Sequence, residues 1–187
     1  LESGHIVISR AARQAEFPAA FQLIAAMNPC PCGYFGDASG RCNCTPERIS
    51  RYRDRISGPL LDRIDMHLNV APVGRDVLMG GAQAERAESS TEVRERVVAA
   101  RQQAAARGHG PNACLRPADI DTYCLLEKSA RSILEQAIAR LGLSARAYHR
   151  ILRVARTVAD LAAADTINAG HVAEAIGYRQ LDRNATS

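Results

Sequence analysis

The feature that most constrains this chain is a pair of C-x-C motifs, Cys30-Pro-Cys32 and Cys42-Asn-Cys44, bracketing a loop that contains Gly33, Gly36 and Gly40. One glycine-rich excursion that gathers four thiolates can supply the tetrahedral sulfur shell zinc favours, and the loop has almost no apolar residues to hold it otherwise. A metal there would replace a missing core. The six cysteines of the chain also admit three disulfides, but four of them fall within this one loop and nothing else about the chain is extracellular. The C-x-C bite is tighter than the usual C-x2-C knuckle, so free or partly oxidised thiols stand as the alternative to a structural zinc. Catalytic zinc has no open-coordination ligand set here. Cys114 and Cys124 are expected to be ordinary semi-buried cysteines.

Composition sets the frame around that loop. With 187 residues, 47% of them hydrophobic and 24% charged, and a mean hydropathy of -0.19, the chain reads as globular with one or two modest cores, which excludes intrinsic disorder and collagen-like architecture. No apolar run approaches the ~18 residues a membrane helix needs. The opening Leu1-Glu2-Ser3-Gly4 lacks the zoning of a signal peptide, so the expectation is a piece of a longer, cytoplasmic protein. A net charge of +4 permits a phosphate-rich partner without demanding one. All of the 24 basic residues except Lys128 are arginine, the side chain suited to bidentate phosphate and carboxylate contacts, although a GC-rich genome explains the same bias.

Along the chain, residues 5–9 predict a short strand and residues 15–17 its hairpin return around an Arg10-Ala-Ala-Arg13 tip. The nearly continuous apolar run Phe21-Gln-Leu-Ile-Ala-Ala-Met27 predicts a central strand buried on both faces of an α/β sheet. Thr45-Pro46-Glu47 predicts the start of a helix running through Ile56, followed by a helical turn at residues 60–63 and a half-buried strand at 65–70. Residues 75–91 predict a linker. Beyond it the caps and breakers predict five helices: Ser90 or Thr91 to Arg107, one from Pro117, Ser129 to Gly142, Ser144 to about Ala163, and Asn168 to about Arg179. Ile151, Val154, Val158 and Leu161 give the fourth an apolar face, so the last hundred residues predict a small bundle.

Three polar residues outside the loop carry chemistry. Asn28, at the end of the expected strand, can orient a water or a phosphate oxygen, though Asn-Pro is also a plain turn signal. Arg63, after a short helix, can reach a phosphate outside its own domain, or pair with Asp62 or Asp65. Arg146, Arg150 and Arg153 form a stripe opposite the apolar face, the usual pattern of a solvated surface, but Arg146 lies in a first turn whose free N–H groups favour an anion. There is no G-x-x-x-x-G-K-[ST], so this stretch does not cradle ATP phosphates by itself.

These pieces, in this order, resemble one family. Residues 21–36, the string Ile56-Ser-Gly-Pro-Leu-Leu-Asp-Arg-Ile-Asp65 and residues 144–160 are similar to the magnesium chelatase-related ComM/YifB group of AAA+ ATPases, over nearly the whole chain. The resemblance implies a mixed α/β, mostly α fold. Residues 1–74 would be the C-terminal remnant of an AAA+ core, with a pre-sensor-1 hairpin, a sensor 1 strand, the cysteine loop and an arginine finger. Residues 92–187 would form an all-α helical lid. By the same resemblance Asn28 is sensor 1, Arg63 the finger acting on ATP of a neighbouring subunit, and Arg146 sensor 2. Arg10 and Arg13 would touch the DNA backbone in a ring's pore. Mg-ATP is the implied cofactor of the intact protein, with the P-loop and Walker B acids upstream of Leu1. The implied assembly is a ring, expected to be hexameric, and the implied activity is DNA branch migration in natural transformation and recombination. The alternatives are a motor subunit of a complex inserting magnesium into porphyrin, and a non-enzymatic zinc-stabilised interaction module.

Overall fold

A computed structural model describes residues 4–10, 13–37, 40–71, 73, 88–108 and 110–179. The chain divides into two compact units, Leu1–Arg63 and Ile64–Ser187. The architecture is mixed α/β and mostly α.

In the first unit, β1 (His5–Arg10) pairs antiparallel with β2 (Arg13–Pro18), with His5 opposite Pro18 and Arg10 opposite Arg13. Strict pairing of β-branched residues with their opposites builds this hairpin as expected. Ala11 and Ala12 of the expected tip lie outside the described residues. The expected central strand at 21–27 does not form: the segment has no strand pairing, and Phe21, Leu23, Ile24 and Met27 are 59%, 48%, 84% and 44% exposed. Apolarity encodes what a segment needs on its two faces, and among the described residues no neighbouring strand supplies it. Helix α1 (Pro46–Arg53) begins at Thr45, whose hydroxyl accepts from the Arg48 N–H, with proline at the first helical position. Helix α2 (Gly58–Asp62) follows and ends at Arg63.

In the second unit, α3 (Ser90–Ala106) starts one residue earlier than expected. Ser89 is the cap and Glu92 reaches back to its N–H at 2.6 Å, a reciprocal pair that outcompetes Ser90 and Thr91. A 3-10 turn (Asn112–Cys114) leads to α4 (Pro117–Tyr123), α5 (Lys128–Leu141), α6 (Ala145–Leu161) and α7 (Ala169–Gly177). Gly142 ends α5 at φ +58°, where a side chain would be strained. The expected strand at 65–70 reduces to a single bridge from His67 to Arg179, while Leu68 and Val70 stay exposed. Alternation alone specified a half-buried strand but no partner for it. The expected linker lies outside the described residues up to Ala87. Packing centres on α6, where Ile151, Leu152, Ala155 and Ala159 join Leu115, Ile120, Leu134, Ile167, Val172 and Ile176 in one core. Among the described residues, no helix is long and apolar enough to cross a membrane.

Candidate functional site

The cysteine loop closes as its composition demands. Gly33 donates to the Cys30 carbonyl at 3.0 Å with φ +83°, a turn that brings Cys30 and Cys32 to one side. Asp37 donates to the Tyr34 carbonyl, Arg41 forms a salt bridge to Asp37 at 3.0 Å, and its guanidinium lies 4.3 Å from the Tyr34 ring centre. The loop is also fastened from α1: Arg53 stacks 5.1 Å from the Phe35 ring centre and donates to the Pro29 carbonyl.

All four sulfurs lie within 4.8 Å of one another, with Cys30 to Cys32 at 3.3 Å, Cys32 to Cys42 at 3.6 Å and Cys30 to Cys42 at 3.8 Å. Four thiolates at the ~2.3 Å zinc–sulfur distance of a tetrahedral site stand about 3.8 Å apart, so this donor set matches a thiophilic cation in number, chemistry and spacing. All four are free thiols. Burial opposes the Cys30 thiolate, yet hydrogen bonds from the Cys32 thiol, the backbone N–H groups of Phe35 and Cys32, and the Cys42 thiol outweigh it and bring Cys30 down to about 6. The Tyr34 N–H lowers Cys32 in the same way. The Cys44 N–H favours the Cys42 thiolate, but burial, the Cys32 and Cys30 thiols and the charge on Cys30 push Cys42 up to about 11. Burial likewise raises Cys44. Cys30 and Cys32 are shifted toward the thiolate and Cys42 and Cys44 toward the thiol, and a bound cation would favour the thiolate at all four.

Asn28 is exposed, two residues before Cys30, and its amide lies beside Gly33: a Cβ added there would stand 3.9 Å from the Asn28 side chain. Arg63 is exposed and caps α2, donating to the Pro59 carbonyl at 3.1 Å rather than to Asp62 or Asp65. Arg10 and Arg13 are exposed. In the second unit, Arg146 is exposed in the first turn of α6, after the Ser144 cap. The expected arginine stripe breaks up beyond it. Arg150 is 5% exposed and pairs with Asp65, and Arg153 donates to the Leu115 carbonyl at 2.9 Å. Loop residues outside α6 supply acceptors that helical periodicity does not report. Cys114 is exposed and Cys124 buried, so neither is semi-buried.

Sequence reasoning missed one polar centre. Asp160, 3% exposed, accepts from Arg107 at 2.8 Å, from the Arg156 Nε at 3.0 Å and from the Asn112 amide at 2.7 Å. Arg156, 1% exposed, also donates to the Asp165 carbonyl at 2.7 Å and to the Ala164 carbonyl. The available signal was Arg156 and Asp160 at i, i+4 within the buried face of α6. Every donor has a protein acceptor, so the centre is structural.

Comparison with known proteins fits this layout. Residues 1–78 match the family described as "Magnesium chelatase, subunit ChlI", and residues 87–179 match "Magnesium chelatase, subunit ChlI C-terminal". The chain is 44% identical over 183 residues, 98% of its length, to the competence protein ComM of Haemophilus influenzae, and covers 35% of that protein. It is 43% identical over 183 residues to the YifB protein of Salmonella typhimurium, with the same two coverages. A Mycobacterium tuberculosis relative is 36% identical over 185 residues, 96% of this chain and 35% of the relative. The chain thus spans about a third of the length of the curated relatives it matches. On these matches the chain belongs to the magnesium chelatase-related ComM/YifB family, related to the AAA+ ATPases.

Proposed function

We propose that the chain is the sensor and lid portion of an ATP-driven AAA+ motor that moves DNA, with residues 1–74 completing the α/β core and residues 92–187 forming the lid. In this reading the P-loop and acidic residues that hold Mg-ATP belong to the remaining two thirds of the protein. Phosphoryl transfer then depends on positioning and charge neutralisation, for which the chain offers three groups. The Asn28 amide orients the attacking water, Arg63 neutralises developing charge on ATP held by the next subunit of a ring, and Arg146 meets the phosphates from the lid. The apolar segment 21–27 is read as a strand whose flanking strands come from the rest of the core. Arg10 and Arg13 face DNA, the loop cysteines hold a structural zinc, and the ring is hexameric and cytoplasmic.

The observation that carries the reading is Arg63: an exposed guanidinium at the end of a five-residue helix, anchored through a single backbone carbonyl. Such an arginine is braced yet keeps most of its donors outward, as a charge acting across a subunit boundary requires. Arg63→Ala in the intact protein is expected to cut ATP hydrolysis by about 10³-fold while leaving nucleotide binding within a few-fold. Unchanged turnover removes the assignment. The family descriptions favour a second reading, a motor subunit for magnesium insertion into porphyrin. ATP-dependent unwinding of forked DNA by the intact protein supports the DNA motor. Porphyrin-complex partners without DNA affinity support the chelatase.

A further inference from the structure

Immediately after the cysteine loop, α1 and the turn beyond it carry Arg48, Arg51, Arg53 and Arg55. At about 100° per residue, Arg48 and Arg51 fall within roughly 60° of one another around the helix while Ile49 turns inward, and Arg55 lies in the turn just beyond the helix end. Arg53 projects elsewhere and is engaged with Phe35 and Pro29. The three remaining arginines are exposed, and among the described residues none of their side chains has a hydrogen-bond, ion-pair or ring partner. In the helical unit Arg107, Arg150, Arg153, Arg156 and Arg179 donate to protein acceptors, while Arg94, Arg101, Arg131 and Arg140 are exposed and dispersed over α3 and α5. Glu47 and Asp54 lie beside Arg51 and offset part of the charge there, so the excess positive charge of the stripe rests chiefly on Arg48 and Arg55. The Glu47 carboxylate is held low by its own backbone N–H and the Thr45 hydroxyl at the helix start, and Asp54 accepts from the Ser50 hydroxyl at 3.2 Å.

We propose that Arg48, Arg51 and Arg55 form a DNA-backbone contact of the intact protein, separate from the Arg10 and Arg13 hairpin tip. Arg48 and Arg51 stand about 4.5 Å apart along the helix axis at roughly 1.5 Å per residue, and Arg55 follows in the adjoining turn, a succession that suits neighbouring phosphates of one strand. A compact triphosphate calls for a concave cradle. The depression on the flank of this helix instead presents the Glu47 and Asp54 carboxylates alongside Arg51, which repel such a ligand. Fastening of the loop to α1 through Arg53 gives the stripe a fixed base.

The contact rests on the reading that the intact protein acts on DNA, and the test separates the two. Affinity of the intact protein for a fluorescent duplex oligonucleotide is measured across a salt series for the wild type, for R48A/R51A/R55A, for R48K/R51K/R55K and for R10A/R13A. Circular dichroism monitors folding. The alanine triple is expected to lose roughly ten- to a hundredfold in affinity near 0.1 M salt and to flatten the log–log salt slope by about 2 to 3, while the lysine triple keeps most of both. Wild-type affinity and slope in the alanine triple, with R10A/R13A weakened, overturn the stripe and leave the DNA reading standing. No DNA binding by the wild type overturns both. Lysine variants that fold but bind as poorly as alanine variants show that charge is not the cause, and also overturn it. So does a triple that keeps DNA affinity but loses DNA-independent ATP hydrolysis, because the arginines then serve nucleotide.

Discussion

The two units of this protein solve the same problem, holding a short chain in one conformation, by opposite means. Among the described residues of the first unit only Cys30 and Ile49 are buried, and its larger apolar side chains lie open. The second unit wraps a continuous core around α6 and closes it with buried charge at Asp160, Arg156 and Arg107. Where little apolar surface is removed from water, something other than the hydrophobic effect must fix the loop, and the four sulfurs are the only such device with the required geometry among the described residues. Where a core exists, polar groups can be buried, because neighbouring elements supply their partners.

Metal removal should break this contrast most. Structural zinc sites contribute on the order of 10 kcal/mol of apparent binding free energy at neutral pH, far more than Ile49 can offset. Purified protein is expected to carry about one zinc per chain. Chelation, or Cys30→Ser, should make residues 29–53 readily cleavable by protease while the melting of the helical unit stays where it was. Elemental analysis and limited proteolysis followed by mass spectrometry read this out. A loop that stays protected without metal would show that Arg41, Arg53 and the glycine turns suffice.

The contrast also explains which features were legible in the sequence. Helix limits in the second unit follow local rules: Ser144 and Asn168 cap their helices and Gly142 stops one, as residue type and spacing indicate. The cysteine cluster was legible because its ligands are close in sequence. Residues 21–27 and 65–70 do not form the expected strands because strand formation depends on a neighbour, and no property of the segment reports whether one is there. Periodicity places Arg150 on a solvated face because its acceptor, Asp65, is 85 residues away. The Asp160 centre was missed for the same reason: Arg107 and Asn112 come from outside α6. Local periodicity sees faces of helices, whereas partners across the core belong to tertiary structure.

The second unit should fail through its buried charge. In Asp160→Ala the Arg156 guanidinium keeps two backbone carbonyls but loses its counter-charge in a site 1% exposed, and Arg107 loses its carboxylate. Removing one partner of such a centre costs about 3–5 kcal/mol, enough to lower the melting temperature of the helical unit markedly. Zinc content should be unaffected. A calorimetric transition within about 1 kcal/mol of wild type would mean that water replaces the carboxylate and the centre is not truly dry.

A smaller effect separates the two classes of cysteine. Cys124 is 5% exposed, donates its thiol to the Leu152 carbonyl at 3.7 Å, and is pushed by burial up to about 11 from an ordinary 9.0. The folded state therefore prefers the protonated thiol more than the unfolded chain does. The contribution is fully present below pH 9, declines as pH rises from there toward 11, and is gone above it. A thiol moved from 9.0 to about 11 corresponds to about 2–3 kcal/mol at the limit. Cys124→Ala should accordingly lessen the alkaline loss of stability of the helical unit between those limits, at the expense of a small cavity at neutral pH. Maleimide labelling at pH 8 checks the same point without unfolding: exposed Cys114 should react at least a hundredfold faster than Cys124, because only an accessible thiolate is a nucleophile. Equal rates would mean that the pocket lined by Ile120, Cys124, Tyr148 and Leu152 opens on the labelling timescale, and the tightly packed half of the comparison would need revision at that edge.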